Sequence, residues 1–300
     1  MSTLLQEHEA SVADCLQQCA DTVRAVGGNR WEFALRSAVP LQVTACLEGE
    51  WLRWCAPLSL PSASRPGPAV LQRMLACNGN LAAAVKFTLA AAPPLPCLAA
   101  EVPLGVEEAD LRDLAPRIAG LCDGFSRAVQ KFAGGQLEGS PAEAVQAGDS
   151  SEELSSELAA LCKETGWPMA ERAAHYVVFE LDVAGAFYQA VARSWQAGLR
   201  LEVELVNASG VGGDKQQALN VLLLHASHSV RMARATARAS DDVTAYGWEV
   251  LLDRVANARE LDHALAALSV ACRLSGREAC AFQQDDYLAR SYLMFRGWCS

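Results

Sequence analysis

The feature that most limits what this chain can fold into is a block that occurs twice. Residues 71–122 run from LQRMLACNGNL through AVKFTL and AAEVPLG to LRDLAPRIAGLC. Some 148–150 residues later the chain reads LNVLLLHASHS, MARATA, GWEVLLD and LDHALAALSVAC. Leu71 pairs with Leu219, Leu75 with Leu223, Val102 with Val250 and Cys122 with Cys272. Few positions are identical, but the order of apolar blocks is the same. A chain built this way is expected to fold twice into one supersecondary plan. The recurring positions read as apolar. Polar positions such as Asn78 and Asn80 face Ala226 and His228 across the repeat, so a shared polar site is not expected.

Composition narrows the functional classes. Three hundred residues fit about two domains. With 51% hydrophobic and 20% charged residues, the chain can bury a core. Its net charge of −10 divides evenly, since residues 1–150 carry 11 − 16 and residues 151–300 carry 14 − 19. An evenly acidic chain is a poor match for a phosphate backbone, so no nucleic-acid partner is expected. No signal-like n-region or long uncharged apolar run occurs. The expectation is therefore a cytoplasmic protein without a membrane partner. Eleven cysteines, mostly inside apolar periodic segments, read as reduced thiols and not as a disulfide framework.

In the first half, Leu5, Val12, Leu16, Cys19, Val23 and Val26 predict a helix over 5–26, stopped by Gly27-Gly28-Asn29. Three strands follow, through Trp31–Leu35, Leu41–Leu47 and Trp51–Leu58, with connections short enough for antiparallel pairing. The Pro- and Ser-rich 57–68 reads as a loop, and a helix covers about 69–77. Strands at 82–91 and 97–104 precede a long helix over 106–133, with Pro116 inside it. Residues 134–150 read as a linker.

The second half repeats the plan. A helix spans 152–165, capped from Ser150 or Ser151. Strands lie at about 175–183, 186–195 and 199–206. A helix capped by Asp214 follows over 215–226. Residues 216–239 contain no Gly or Pro, so a local reading allows a single helix there. The repeat instead requires a strand beginning near Ser229, to match 82–91, and that reading is adopted. A strand over 244–252 and a helix over 258–274 complete the copy. Residues 278–300, with Phe282, Tyr287, Tyr292, Phe295 and Trp298, have no counterpart and predict an aromatic-rich helix docked on the second domain.

The fold class expected is α+β, in two repeated domains. Each reads helix–three strands–helix–two strands–helix around a mainly antiparallel twisted sheet. The boundaries are 1–133, linker 134–150, 151–277 and extension 278–300. This layer order, with Leu75-Ala-Cys-Asn78, a strand, Glu101-Val-Pro-Leu104, then Leu111 and Leu114, resembles the class I type III secretion chaperones (the Tir-chaperone group) and the similar YbjN-type domains. The resemblance covers nearly all of 5–133 and 152–275. It implies a protein that holds an extended effector-like polypeptide over apolar grooves. It also implies either a monomer whose covalent domain pair replaces the family's homodimer, or a homodimer.

Chemical signatures are sparse. Gly210-Val-Gly-Gly213-Asp214-Lys215 fits neither phosphate-loop spacing, and reads as a loop. His225 and His228 stand three apart with no third ligand nearby, so no metal is expected. Cys15 and Cys19 fall on an apolar stripe, and no CxxC occurs. Arg231, Arg234 and Arg238 form a basic group whose natural partners are Asp241, Asp242 and Glu249. No cofactor and no catalytic residue is assigned. Trp31, Trp51, Trp54 and Leu52 are the candidate protein-binding residues, because period-2 alternation puts Trp51 and Trp54 on opposite faces of one strand. The leading expectation is a non-enzymatic protein-binding module. A regulatory adaptor of YbjN type is the alternative. An enzyme or ligand-binding protein with a site near His225, His228 and Arg231 is a third.

Overall fold

The computed structural model describes residues 3–35, 40–58, 65–81, 83–90, 94–104, 114–134, 154–195, 198–209, 212–240, 243–252 and 257–298. These hold seven helices and two six-stranded antiparallel sheets, an α+β architecture. The chain forms two compact units, Met1–Arg65 with Leu81–Gln136, and Pro66–Asn80 with Leu137–Ser300.

The first unit begins with α1 (Thr3–Cys19) and continues through β1 (Ala20–Ala25), β2 (Arg30–Leu35), β3 (Leu41–Glu48) and β4 (Trp51–Pro57). After the excursion of 66–80 come β5 (Lys86–Leu89), β6 (Pro96–Pro103) and α3 (Leu114–Ala133). The sheet order is β1-β2-β3-β4-β6-β5. Strict alternation in β2, β3 and β4 sends Phe33, Val43, Leu52 and Trp54 to one buried face. Helix α3 presents Ile118, Leu121, Phe125 and Val129 as its apolar stripe. The ring of Phe125 meets Trp54 edge-on at 5.7 Å, which places α3 on that face. Gly124 lets the helix come close, since a Cβ there would lie 2.7 Å from a Val85 methyl.

The second unit contains α4 (Ser156–Glu164), β7 (Met169–Arg172), β8 (Tyr176–Val183), β9 (Ala186–Trp195) and β10 (Gly198–Ser209). It continues with α5 (Gly213–Ser229), β11 (Arg234–Ser240), β12 (Val243–Leu252), α6 (Ala258–Gln284) and α7 (Asp286–Phe295). Its sheet order, β11-β12-β10-β9-β8-β7, matches the first sheet strand for strand. The repeat therefore extends to topology. Asn257 and Glu260 form a reciprocal capping box that fixes the start of α6. Trp248 donates through Nε1 to Ser275 Oγ at 3.0 Å, locking α6 to the sheet.

Several expectations are corrected. Each copy has four strands before its second helix, not three. The predicted first helix ends at Cys19, and its tail becomes β1, where Val23, Arg24 and Ala25 pair in an antiparallel ladder with Phe33, Glu32 and Trp31 of β2. Gly27 and Gly28, with φ of 100° and 57°, make the β1–β2 turn. Strand β7 was missed for its shortness. Pro116 lies in the first turn of α3, where its missing N–H costs nothing. Ser155, not Ser150 or Ser151, caps α4 by accepting from Leu158 N at 3.1 Å. Asp214 lies inside the first turn of α5, and Gly212 is the cap. Helix α6 runs through the expected boundary at 277 to Gln284. Residues 135–150 of the linker expected at 134–150, and the start of the helix expected from 106, lie outside the described residues.

The other difference is α2 (Pro68–Asn80). It lies in sequence between β4 and β5, yet belongs to the second unit and packs beside β11 and α5. Strand β11 is an edge, and an unmet backbone edge is costly when buried. Asn78 answers it, donating through Nδ2 to Ala235 O at 2.8 Å. Ser227 Oγ lies 3.5 Å from Ala235 N on the same edge. Tyr246 Oη donates to Gln72 Oε1 at 3.2 Å and ties α2 to β12.

Candidate functional site

The four residues singled out as a binding surface separate sharply. Trp54 and Leu52 are fully buried, and Trp31 is 5% exposed. All three point to the face under α3, where Phe33 meets Trp54 at 5.1 Å. Trp51 alone keeps partial exposure, on the opposite face with Arg53 and Cys55. The period-2 argument sorted the two tryptophans correctly by face. It could not tell which face the helices cover.

The sheet face opposite the helices carries the most concentrated chemistry. In the second unit, Glu249 of β12 is fully buried and ringed by cations. Arg200 donates to its Oε2 from Nε at 2.8 Å and from Nη2 at 2.5 Å. Arg234 donates to Oε1 from Nε at 2.8 Å and also through Nη2. Arg238 Nη2 reaches Oε2. Glu202 completes the group, with Oε1 at 2.6 Å from Arg200 Nε and 2.5 Å from Arg238 Nη2. Arg200 also stacks over Trp195, 4.8 Å from the ring centroid.

Burial pushes the Glu249 carboxyl up, but the guanidinium groups of Arg234, Arg200 and Arg238 outweigh it and hold it below the usual carboxylate range. Burial likewise pulls Arg234 down, opposed by Glu249. At neutral pH the arrangement is an anion fully engaged by cations.

The first unit has a smaller version. Glu101 of β6 pairs with Lys86 of β5 at 2.9 Å and with Arg53 of β4 at 4.0 Å. Lys86 and Glu101 are both buried. Burial drives the Lys86 ammonium below its ordinary pKa, against the pull of Glu101. The registers make the two glutamates equivalent, since Arg53 faces Glu101 across β4–β6 and Glu202 faces Glu249 across β10–β12. This corrects the expectation that only apolar positions recur. The signal was present as Glu101-Val-Pro-Leu104 against Glu249-Val-Leu-Leu252, where a charged residue heads each apolar run.

Of the basic group, Arg234 and Arg238 enter the Glu249 cluster, while Arg231 is exposed in the turn before β11. Asp241 and Asp242 lie outside the described residues. His225 and His228 are half-buried on α5. Among the described residues no three His, Cys, Asp or Glu side chains gather as a metal site. A cavity of about 310 Å³ is lined by Leu154, Ala159, Arg172, Ala173 and Ala174, with Arg172 its one charged member. Among the described residues no helix is long and apolar enough to cross a membrane.

A feature with no predicted role stands on α7. The helix docks on α5 and α6 through Ala289 and Leu293, with Tyr292 against Phe282 at 4.9 Å. Its outward face carries Tyr287, Leu288, Met294 and Phe295, with Tyr287 77%, Met294 62% and Phe295 86% exposed. At 100° per residue, positions 287, 288, 294 and 295 fall on one side of the helix. Aromatic content predicted the docked helix, but not that most of its large residues face outward. In comparisons with known proteins, no family model matches the chain, and no curated protein or solved structure matches it significantly.

Proposed function

We propose that this chain is a non-enzymatic protein-binding module of the tandem class I type III secretion chaperone-like type, holding an apolar segment of another polypeptide. The observation that carries this reading is the outward face of α7. A docked helix normally turns its polar side to water. Here Tyr287, Leu288, Met294 and Phe295 leave four large apolar side chains exposed on one side of the helix, the kind of surface that marks a protein interface. The buried polar groups support the same reading. The carboxylate of Glu249 is engaged by three guanidinium groups, an arrangement that specifies packing and offers no poised acid or base.

The test is a variant carrying Tyr287→Ser, Met294→Ser and Phe295→Ser. Helix α7 keeps its cap, since Asp285 accepts from Tyr287 N and Leu288 N, and keeps its anchors Ala289 and Leu293. The expected result is an unchanged circular dichroism spectrum and at least a tenfold loss of the polypeptides captured from native extract. A photo-crosslinker at position 294 should label the same polypeptides. Equal capture by the variant and the parent, with no crosslink, would refute the reading.

A further inference from the structure

Two pairs of cysteines meet in the first unit. Cys55 on β4 lies opposite Ala99 of β6, and Cys97 on β6 lies opposite Pro57 of β4. The two are diagonal neighbours on one sheet face, and their thiols are in hydrogen-bonding contact. Cys55 is partly exposed and Cys97 is buried. Arg53 lies two residues away on the same face as Cys55. The second pair is Cys19, at the end of α1, and Cys122 of α3, also in hydrogen-bonding contact. All four are free thiols in this structure.

The two pairs are chemically unequal. The Cys97 S–H donates to Cys55, and together with the Arg53 guanidinium this outweighs burial and pulls Cys55 down to about 7. The same contact and burial push Cys97 up. The Cys97 thiol also lies 3.5 Å from Leu95 O, so it has a second acceptor while Cys55 is protonated. Burial pushes Cys122 up to about 12. Near neutral pH the first pair therefore combines a thiolate, partial access and an adjacent second thiol.

We propose that Cys55 and Cys97 are a peroxide-reactive dithiol, with Cys55 the attacking thiol and Cys97 the resolving one. The Cys55 thiolate attacks one oxygen of a hydroperoxide. The O–O bond breaks, an S–O bond forms, and with hydrogen peroxide the leaving hydroxide takes a proton to become water. Cys97 then attacks the sulfenic sulfur, its S–H proton passing to the departing hydroxide. Two thiols and one hydrogen peroxide give one disulfide and two waters. The bond closes residues 55–97 into a covalent loop. That loop contains α2, the helix the first half contributes to the second unit. Oxidation would thus tie β4 to β6 covalently within the first unit.

The experiment treats the full, reduced chain with stoichiometric hydrogen peroxide at pH 7, quenches with an alkylating agent and maps peptides without reduction. The expected result is a loss of 2 Da in a Cys55–Cys97 linked species. In folded Cys97→Ser, dimedone should trap Cys55 as a sulfenic acid. Folded Cys55→Ser should give neither product. If the variants do not fold, iodoacetamide labelling of the parent chain decides, with Cys55 modification rising through a midpoint near pH 7. Cys55 reacting no faster than Cys122 would overturn the proposal, as would labelling with a midpoint near the ordinary thiol value.

Discussion

Replacing Glu249 with glutamine should destabilise the second unit by about 3–5 kcal/mol, the usual consequence of removing one partner from a buried ion pair. The carboxylate is fully buried and accepts from Arg200, Arg234 and Arg238. An amide keeps the shape but removes the charge that balances them. Arg234 is itself buried and cannot turn to water. The cost is therefore mostly desolvated cation left behind, and not the lost hydrogen bonds. Glu202→Gln is the control. That side chain is 23% exposed, and its loss leaves Glu249 in place to balance the guanidinium groups, so it should cost less than the loss of Glu249. The measurement is the midpoint of urea unfolding followed by fluorescence of the second unit, compared at constant slope.

The Glu249 variant has a pH signature. The folded Glu249 carboxyl lies below its ordinary value, so the unfolded chain binds more protons through the acid range. Its contribution is fully present above the ordinary carboxyl value of about 4.3, and is lost as pH falls through the folded value. Glu249→Gln should flatten that part of the stability profile. A Glu249→Gln midpoint equal to the parent's would show that the cluster is not an energetic element of the fold.

How much of this was legible in the sequence depends on which signals are local. The decision between helix and strand after Ser229 came from the repeat, and it agrees with β11 beginning at Arg234. No local cue was available there. The chain leaves α5 through Met232, a non-glycine residue with φ of 60°, so the turn lacks the Gly or Pro that normally announces one. Strands β1 and β7 were hidden for a different reason. MAER is too short to show a period, and the helical apolar spacing of 5–26 runs on through ADTVRA, so their partners, not their composition, make them strands. Which unit holds α2 is a tertiary fact with no periodic signature. The buried glutamates were the avoidable omission. A charge inside an apolar run reads as a solvent-facing break, but one that recurs in both copies reads better as a buried partner for neighbouring cations. The outward face of α7 was unreadable because aromatic spacing tells how residues group and not which side is covered.

The two tryptophans of β4 provide the sharpest separation of core from surface. Trp54→Ala should cost about 3–5 kcal/mol in the first unit, the range for deleting a large buried aromatic. It removes the ring wedged between Phe33 at 5.1 Å and Phe125 at 5.7 Å, where α3 meets the sheet. Trp51→Ala, at a half-buried site three residues earlier, should cost about 1 kcal/mol or less. Trp54→Phe separates packing from polarity. The indole N–H of Trp54 is buried with no acceptor among the described residues. A buried donor left unmet costs about 1–3 kcal/mol, so a phenyl ring recovers part of what its smaller volume loses. The phenylalanine variant should therefore lie within about 1.5 kcal/mol of the parent, far closer than the alanine variant. Equal losses for Trp54→Phe and Trp54→Ala would mean that the indole N–H is satisfied after all. Equal losses for Trp51→Ala and Trp54→Ala would mean that the sheet is covered on both faces at β4, and that neither tryptophan is available to a partner.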